Sequence, residues 1–157
     1  MKVVSSSARK LVAGDEASFT LRDNDFCFYS EFGSENVAFK GRRLPIGESI
    51  NGWAMLNKQN VIIADIAQDY RVQQKILKNS SVKSLVVIPI HPEDPIGTIA
   101  VYWKTIYRPT VEEIESLESL ASATCLAMQR VTLVSHLETK VSELSAAEKV
   151  KDNFLRT

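Results

Sequence analysis

The sequence predicts an α+β fold, in which strands pair as antiparallel hairpins and one long helix forms the C-terminus. Short apolar or alternating segments are separated by turn signals, and no strand–helix–strand alternation indicates a doubly wound sheet. An uninterrupted helical pattern then runs from Thr110 to Thr157. With 157 residues, the chain is long enough to bury one hydrophobic core without disulfides or metals.

The first predicted element is a helix. Its apolar face consists of Val4, Ala8, Leu11 and Val12. Gly14 is well placed to end this helix, because glycine readily adopts the left-handed conformation that follows a last helical turn. The helix has no capping residue at its start, as a trimmed helix would.

A β-hairpin is predicted next. Residues 17–22 alternate between apolar and polar side chains, which indicates a strand. The turn signal Asp23-Asn24-Asp25 follows, and residues 26–31 supply the second arm. Residues 32–36 resemble a loop, and residues 37–44 predict a short strand before a proline.

The middle of the chain predicts shorter elements. Ser49 can cap a helix that runs to about Lys58, and the mostly β-branched residues 61–65 predict a brief strand. Residues 69–81 are polar with a weak helical pattern, which indicates a loop that carries a short helix.

A second hairpin precedes the terminal helix. Residues 85–90 are almost all apolar, which predicts a central strand covered on both faces. Residues 92–95 contain two prolines and two acidic residues and form the turn, and residues 96–104 return as the next strand.

The terminal helix begins with a capping box, in which Thr110 and Glu113 satisfy each other's backbone amides. Its first half has apolar residues at spacings of three and four up to Val131, enough to pack on the sheet. The step from Val131 to Val134 is one residue short of the heptad pattern, a stammer.

The second half of this helix carries a narrow apolar stripe that predicts a parallel two-stranded coiled coil, and therefore a homodimer. The stripe consists of Val134, Leu137, Val141 and Leu144. Charged residues flank it, and it weakens after Leu144. The alternative interpretation is a solvated terminal helix that has no partner in solution.

Composition excludes several classes of function. Lys plus Arg and Asp plus Glu each total 19, so the net charge is zero and nothing draws the chain to nucleic acid or to an anionic membrane. The longest apolar run, residues 84–90, is far shorter than the roughly 20 residues that span a bilayer. No signal peptide is recognisable, so we expect a cytoplasmic protein without membrane contact from this segment.

Several segments, in this order and spacing, resemble a GAF domain between about Val4 and Val131. They are Gly47, Ile50 and Gly52-Trp53-Ala54; Val61 to Ile66; Asp69 and Arg71; Lys83 to Ile90; Gly97 to Val101; and Thr110 to Glu113. The resemblance implies an antiparallel sheet of about six strands. Terminal helices are expected on one face, and short helices and loops around a ligand pocket on the other.

The resemblance also implies two domains. Residues 1–131 are the GAF sensory domain, without the helix that usually precedes the first one, and residues 132–157 are a coiled-coil signalling helix. Residues 151–157 look like the segment just before the phosphoacceptor box of sensor histidine kinases. The parent protein is thus expected to be a two-component histidine kinase, whose phosphorylated histidine and ATP-binding motifs this chain lacks.

The cysteines and histidines argue against the known chromophores and metals of this family. Cys27 and Cys125 lie far apart in apolar contexts, and residues 69–84, where a covalently bound bilin would be attached, contain no cysteine. His91 follows a strand at a solvent-facing turn and His136 lies on the coiled coil, so neither suits a haem or a metal. The cofactor is therefore unknown.

Two further GAF subclasses do not fit. Asn57-Lys58 is not followed by the pattern of cyclic-nucleotide-binding GAF domains, and two distant cysteines do not make a methionine sulfoxide reductase. No phosphate loop, metal cluster or nucleophile beside a base is recognisable, so we expect no enzymatic activity.

A generic small-molecule pocket remains, mostly apolar with a few polar groups. The candidate ligand-binding residues are Tyr29, Trp53, Asp65, Tyr70, Arg71 and Ser84. For three of them a structural role is the alternative: Trp53 as core, Asp65 as a helix or turn cap, and Arg71 paired with Asp65 or Asp69 rather than clamping an anionic ligand.

Two functions stay open. The chain is a ligand-responsive regulatory domain of a sensor histidine kinase, or a ligand-free dimerisation scaffold. A cavity lined by Tyr29, Asp65 and Arg71 would favour the sensor. A pocket filled by the aromatic side chains of Phe26, Phe28, Trp53 and Tyr102 would favour the scaffold.

Overall fold

The computed structural model describes residues 3–32, 41–72 and 80–156, in which three α-helices and six strands are formed. The helices are α1 (Val3–Leu11), α2 (Ile50–Asn57) and α3 (Val111–Leu155). The strands are β1 (Glu16–Asp23), β2 (Phe26–Phe32), β3 (Arg43–Pro45), β4 (Val61–Ile63), β5 (Ser84–Ile90) and β6 (Gly97–Trp103). Most of the loop and strand predicted over 32–44, and of the helix predicted within 69–81, lies outside the described residues.

The six strands form one antiparallel sheet in the order β3-β2-β1-β6-β5-β4. This confirms the predicted α+β class. Every residue of β5 and β6 is buried, so both strands are covered on both faces, as their near-continuous apolar sequence predicts. β5 pairs with a neighbouring strand on each side, so it is an interior strand; the two middle strands of the sheet are β1 and β6.

A β-bulge in β2 shifts its pairing with β1 by one residue. The register shifts between Phe19 and Thr20, so that Phe19 lies opposite Glu31 and Thr20 lies opposite Tyr29. Because adjacent residues of a strand point to opposite faces, Glu31 and Tyr29 lie on different sides. The bulge thus brings a carboxylate to one face and a phenol to the other.

The first helix packs on the face that carries Glu31. The Glu31 carboxylate accepts a hydrogen bond from the backbone N–H of Ser5 (2.7 Å), and the residue is only 7% exposed. The sequence of α1 has no acidic residue in its first turn, so β2 supplies the negative charge that stabilises this helix end.

The details of α1 correct two expectations. Of the predicted apolar face, Ala8 and Val12 are buried, whereas Leu11 is 50% exposed. Ala13, not Gly14, takes the left-handed conformation (φ 48°). Gly14 is required for a different reason: the backbone there lies so close to β6 that a Cβ would be 2.2 Å from Val101 Cγ1.

The second helix covers the opposite face, where Thr20 and Tyr29 lie. As predicted, Ser49 caps it: its hydroxyl accepts a hydrogen bond from the backbone N–H of Gly52 at 2.8 Å. Lys58 ends the helix in the left-handed conformation (φ 55°). The cover explains why Ser18 and Thr20 of β1 are fully buried, although an alternating strand predicts a polar, solvated face.

The terminal helix begins with the predicted capping box. Glu113 N–H donates to Thr110 Oγ1 (3.2 Å), and Thr110 N–H donates to Glu113 Oε1 (2.9 Å). Leu117 and Ala121 are buried, whereas Val131 is 69% exposed and does not continue the packed pattern.

The chain divides into two units, one ending at Thr124 and the other beginning at Cys125. The second unit consists of the remainder of α3. In the part of the chain that the structure describes, no helix combines the length and apolarity needed to cross a membrane.

The tight contact between α2 and the preceding 3-10 turn (Ile46–Glu48) gives the first prediction. A Cβ at Gly52 would lie 1.7 Å from the backbone oxygen of Ile46, so G52A must displace the helix or the turn. We expect a loss of about 1–3 kcal/mol in the free energy of unfolding, measured by urea denaturation. The matched control is G47A, because a Cβ at Gly47 meets nothing within 4 Å. Equal stability of the two variants would contradict the close contact between Gly52 and the backbone of Ile46.

Candidate functional site

A small cleft lies at the N-terminal end of α2. Its volume is about 150 Å³, and it is lined by Gly47, Glu48, Ser49, Trp53, Tyr70 and Arg71. Gly47 and Glu48 belong to the 3-10 turn before α2, Ser49 is the N-cap of α2, and Trp53 lies within the helix. Tyr70 and Arg71 follow a second 3-10 turn (Ile66–Gln68), which brings the loop after β4 back to α2.

Arg71 is held in the cleft by three hydrogen bonds to Asp69. Its guanidinium donates from Nε to Oδ1 (2.9 Å) and from Nη2 to Oδ2 (2.6 Å), and its backbone N–H donates to Oδ1 (2.8 Å). The guanidinium carbon also lies 4.9 Å from the centroid of the Trp53 ring, a cation–π contact. Arg71 therefore ties the loop after β4 to α2, and its predicted structural pairing is with Asp69 rather than with Asp65.

This pairing sets the electrostatics of the cleft. The hydrogen bond from Arg71 is the main cause that lowers the pKa of Asp69 below its ordinary value, against a smaller opposing effect of burial. The same hydrogen bond raises the pKa of Arg71. Since Asp69 balances Arg71 and Glu48 adds a second carboxylate at the lining, the cleft has no excess positive charge for an anionic ligand.

The two aromatic residues of the cleft differ in their surroundings. Trp53 is partly buried and packs against the main hydrophobic cluster, so it is core on one side and cleft on the other. Tyr70 is 84% exposed. The exposed Tyr70 ring thus lies beside the stacked Trp53–Arg71 pair in a cleft of mixed polar and aromatic lining.

The other three candidate residues do not line this cleft. Asp65 caps the second 3-10 turn, accepting a hydrogen bond from Ala67 N–H at 3.0 Å, which confirms its predicted alternative role. Ser84 is fully buried and donates to the carbonyl of Thr105 (2.7 Å). Tyr29 is 1% exposed, and its hydroxyl accepts a hydrogen bond from Asn51 Nδ2 (3.0 Å).

Sequence reasoning missed the polar residues beneath α2. Asn51 lies on the buried face of α2, with 0% exposure, and its Oδ1 accepts a hydrogen bond from Thr98 Oγ1 at 2.8 Å. A second pair, Ser18 and Tyr102, shares a hydrogen bond of 3.0 Å between their hydroxyls. The available signal was an asparagine in the otherwise apolar start of a helix, next to Ile50.

The aromatic residues proposed as pocket filling fall into two groups. Tyr102 is 2% exposed and belongs to the main core cluster, as does Tyr29. Phe26 is 39% exposed and lies under the Arg43 guanidinium, 4.7 Å from its ring centroid, so it does not fill the interior. Phe28 is only half-buried.

Both cysteines are buried thiols without a disulfide, which confirms the interpretation of them as small apolar residues. Burial raises the pKa of the Cys27 thiol, although a hydrogen bond from Ser49 (3.5 Å) opposes it. A raised pKa disfavours the thiolate, which is the nucleophilic form of a cysteine. Among the described residues, no group of three or more His, Cys, Asp or Glu side chains is arranged to hold a metal ion.

The family model of the GAF domain matches residues 1–129 of the sequence. The chain belongs to the GAF domain family. No curated protein sequence matches it. The family match covers the sheet, α1, α2, the start of α3 and the cleft residues.

Solved GAF structures share this fold at low sequence identity. The GAF-B domain of DevS from Mycobacterium smegmatis has a TM-score of 0.70 at 15% identity, covering 87% of this chain and 95% of that one. A GAF domain of a phosphoenolpyruvate-protein phosphotransferase from Acinetobacter has a TM-score of 0.73 at 14% identity, covering 86% and 83%. A domain assigned to a two-component sensor histidine kinase of Sinorhizobium meliloti has a TM-score of 0.67 at 14% identity, covering 87% and 93%. At these identities the similarity establishes the fold and not a ligand.

The Asp69–Arg71 pair gives the second prediction, with an exposed pair as its control. We expect D69N to lower the free energy of unfolding by about 1–3 kcal/mol, because a largely buried guanidinium loses its partner. The side chains of Arg71 and Asp69 are only 19% and 16% exposed, whereas those of Arg43 and Asp23 are 53% and 52% exposed. We expect D23N to cost no more than about 0.5 kcal/mol, since exposed pairs contribute little.

The pair also predicts a pH dependence. The pKa of Asp69 is lower in the folded protein, so its contribution is present above the ordinary value of 3.8 and is lost as the pH falls through the folded value. The stability difference between wild type and D69N should therefore disappear in acid. Urea denaturation of both proteins over a pH series measures this difference, and a difference that grows toward acid would contradict the assignment.

Proposed function

We propose that this chain is a non-catalytic regulatory domain of a cytoplasmic two-component sensor histidine kinase. It binds a small ligand in the cleft of Trp53, Tyr70 and Arg71, and it transmits occupancy through a homodimer of α3. The observation that carries the proposal is the exposed apolar stripe along the second half of α3.

The stripe is apolar enough to require a partner. Val134, Leu137, Val141 and Leu144 are 47%, 54%, 66% and 65% exposed. They follow one another at spacings of three and four on a helix whose other positions are largely polar or charged. Three stripe residues, Val134, Leu137 and Val141, line a shallow groove of about 460 Å³ along the helix, together with Glu138, Ser142 and Ser145.

A second copy of α3 is the partner that suits this stripe. Residues at alternating spacings of three and four form a straight seam on each of two parallel helices, and a two-fold axis places each residue opposite its equivalent. Lys140 and Glu143, which pair within the helix at 3.7 Å, lie outside the seam and stay solvated in such a dimer.

A hydrogen-bonded route connects the cleft to the start of α3. The backbone N–H of Asp69, which holds Arg71, donates to the carbonyl of Ile66 (3.4 Å) in the second 3-10 turn. Two residues earlier, the carbonyl of Ala64 accepts from the N–H of Tyr107 (3.3 Å). The Tyr107 hydroxyl donates to Glu113, which belongs to the capping box at the start of α3. A ligand that shifts Arg71 therefore acts on a segment bonded to the helix cap.

The assignment to a histidine kinase is supported by two observations. Residues 151–155 are the last residues of α3, and they belong to the segment that resembles the approach to a phosphoacceptor box. One of the similar structures is a domain assigned to a two-component sensor histidine kinase. The S. meliloti domain shares the fold with this chain, and the transfer of its role is part of the proposal.

The alternative is a ligand-free dimerisation scaffold, and one observation favours it. Tyr29 and Tyr102 are almost fully buried and fill the interior beneath α2 together with Asn51. The scaffold has the same dimer but no ligand in the cleft, so the two functions differ in one measurable property.

The dimer gives the third prediction. V141K places a charge in the seam, whereas T139K places the same charge on the outer side of the helix. We expect V141K to raise the dimer dissociation constant by about 100-fold or more, since burial of each valine contributes about 1.5–3 kcal/mol and the dimer contains two. Sedimentation velocity over a concentration series measures the constant. If both variants dimerise like wild type, the stripe is not the interface.

Cross-linking of the same positions reports the orientation of the helices. In a parallel dimer V141C faces its equivalent and forms an intermolecular disulfide on mild oxidation, whereas T139C does not. The native Cys27 and Cys125 are buried, so they contribute little background. A cross-link formed by T139C but not by V141C would contradict the parallel seam.

The ligand gives the fourth prediction. We expect native mass spectrometry of the protein purified from its own host to show a dimer with added mass, and R71Q to lose that mass. R43Q is the matched control, since Arg43 also stacks on an aromatic ring but lies outside the cleft. A dimer without added mass in wild type supports the scaffold, and visible absorbance would overturn the exclusion of chromophores.

A further inference from the structure

The interior beneath α2 contains a row of hydroxyl groups across three neighbouring strands. In the sheet register, Thr20 of β1 lies opposite Tyr29 of β2 on one side and opposite Thr98 of β6 on the other. Directly opposed residues project from the same face, with Cβ atoms about 4.5–5.5 Å apart. The three hydroxyl-bearing side chains thus lie side by side under α2, and their exposures are 0%, 1% and 0%.

Asn51 of α2 joins the two ends of this row but not its middle. Its Nδ2 donates to the Tyr29 hydroxyl at 3.0 Å, and its Oδ1 accepts from Thr98 Oγ1 at 2.8 Å. Thr20 Oγ1, between them, is buried and has no hydrogen-bond partner among the described residues. A buried hydroxyl in that condition is costly, because it has lost its hydrogen bonds to water without replacement.

We propose that Thr20, Tyr29, Thr98 and Asn51 form a buried binding site for one uncharged hydrogen-bonding group, which bonds to Thr20 Oγ1. The group is either an internal water molecule or the hydroxyl or amide of a small neutral solute. This site is separate from the cleft of Trp53, Tyr70 and Arg71 and stands whether or not that cleft binds a ligand.

The chemistry of the four residues selects an uncharged group. Their side chains are hydroxyls and one primary amide, none of which is ionised at neutral pH. A buried ion without a counter-charge would be strongly disfavoured here. Two ionisable residues of β1 share this face with Thr20. Glu16 lies opposite Tyr102, four residues from Thr20 and about 13 Å away along the strand. Arg22 is two residues from Thr20 but exposed, and its Nε donates to the carbonyl of Asn24 in the turn after β1 (3.2 Å).

The substitution T20V distinguishes a filled site from an orphaned hydroxyl by the sign of its effect. Valine has the shape of threonine without the hydroxyl. If a bound group bonds to Thr20, T20V removes that bond and leaves the group unpaired, so we expect the melting temperature to fall by about 2 °C or more. If nothing binds, T20V removes a buried unpaired hydroxyl, and the melting temperature stays the same or rises, which would overturn the proposal.

T98V is the matched control. It is the same substitution in the neighbouring strand, at a hydroxyl whose partner Asn51 is present in the structure. T98V should lower the melting temperature whether or not the Thr20 site is filled, which shows that the assay detects the loss of one hydroxyl in this row.

Two further measurements identify the group and keep the proposal testable if T20V does not fold. A crystal structure of the wild type at high resolution should show density within hydrogen-bonding distance of Thr20 Oγ1, and empty space there would overturn the proposal. Wild type and T20V are also compared after refolding in plain buffer. If T20V still melts at a lower temperature than wild type after refolding, the group is water. If the difference in melting temperature is present only in the native preparation, the group is a solute.

Discussion

The seating of α2 on the sheet is the contact on which the rest of this domain depends. Gly52 allows the helix to approach the 3-10 turn at Ile46 so closely that no side chain fits between them. That approach buries Asn51 over Thr98 and Tyr29, and it fixes the position of Trp53, the residue that follows Gly52 in the helix. The core beneath, the cleft at the helix start and the stack on Arg71 all follow from this one placement.

This contact is polar at its centre, which distinguishes it from a simple apolar interface. A valine or leucine at position 51 would pack under α2 without direction, whereas the amide of Asn51 must meet one acceptor and one donor at fixed positions on two strands. Such a network specifies one position of the helix on the sheet. It also means that a shift of α2 breaks discrete hydrogen bonds, so movement at the cleft has a defined cost in the interior.

The fold was largely predictable from the sequence because local signals agreed with one another. The cap at Ser49, the capping box at Thr110 and Glu113, the turn at residues 23–25 and the apolar strands β5 and β6 were each predicted from residue chemistry within a short window. These features depend on neighbours in the sequence, and distant parts of the chain do not change them.

The candidate site was predictable only in part, because its contacts are set by tertiary structure. Trp53, Tyr70 and Arg71 meet in one cleft, but the sequence does not specify whether Arg71 pairs with Asp65 or with Asp69. The polar face of β1 was unpredictable for the same reason: Ser18 and Thr20 alternate as solvated residues do, yet α2 covers them. The bulge at Ser30 of β2, opposite the step from Phe19 to Thr20, places Tyr29 under α2 and leaves no recognisable mark in the sequence.

The cleft and the interior pose different chemical requirements, and the difference bears on how a sensor of this design would work. The cleft pairs one guanidinium with one carboxylate and adds two aromatic rings, so a ligand there would stack beside Tyr70 and the Trp53–Arg71 pair. Such binding would act on the loop after β4, which is hydrogen-bonded through Ala64 and Tyr107 to the capping box of α3. The interior row is uncharged and contacts α2 instead. In the proposed function, a ligand in the cleft would therefore have a direct hydrogen-bonded route to the start of α3, whereas a group beneath α2 would act on α3 only by moving α2 and Trp53.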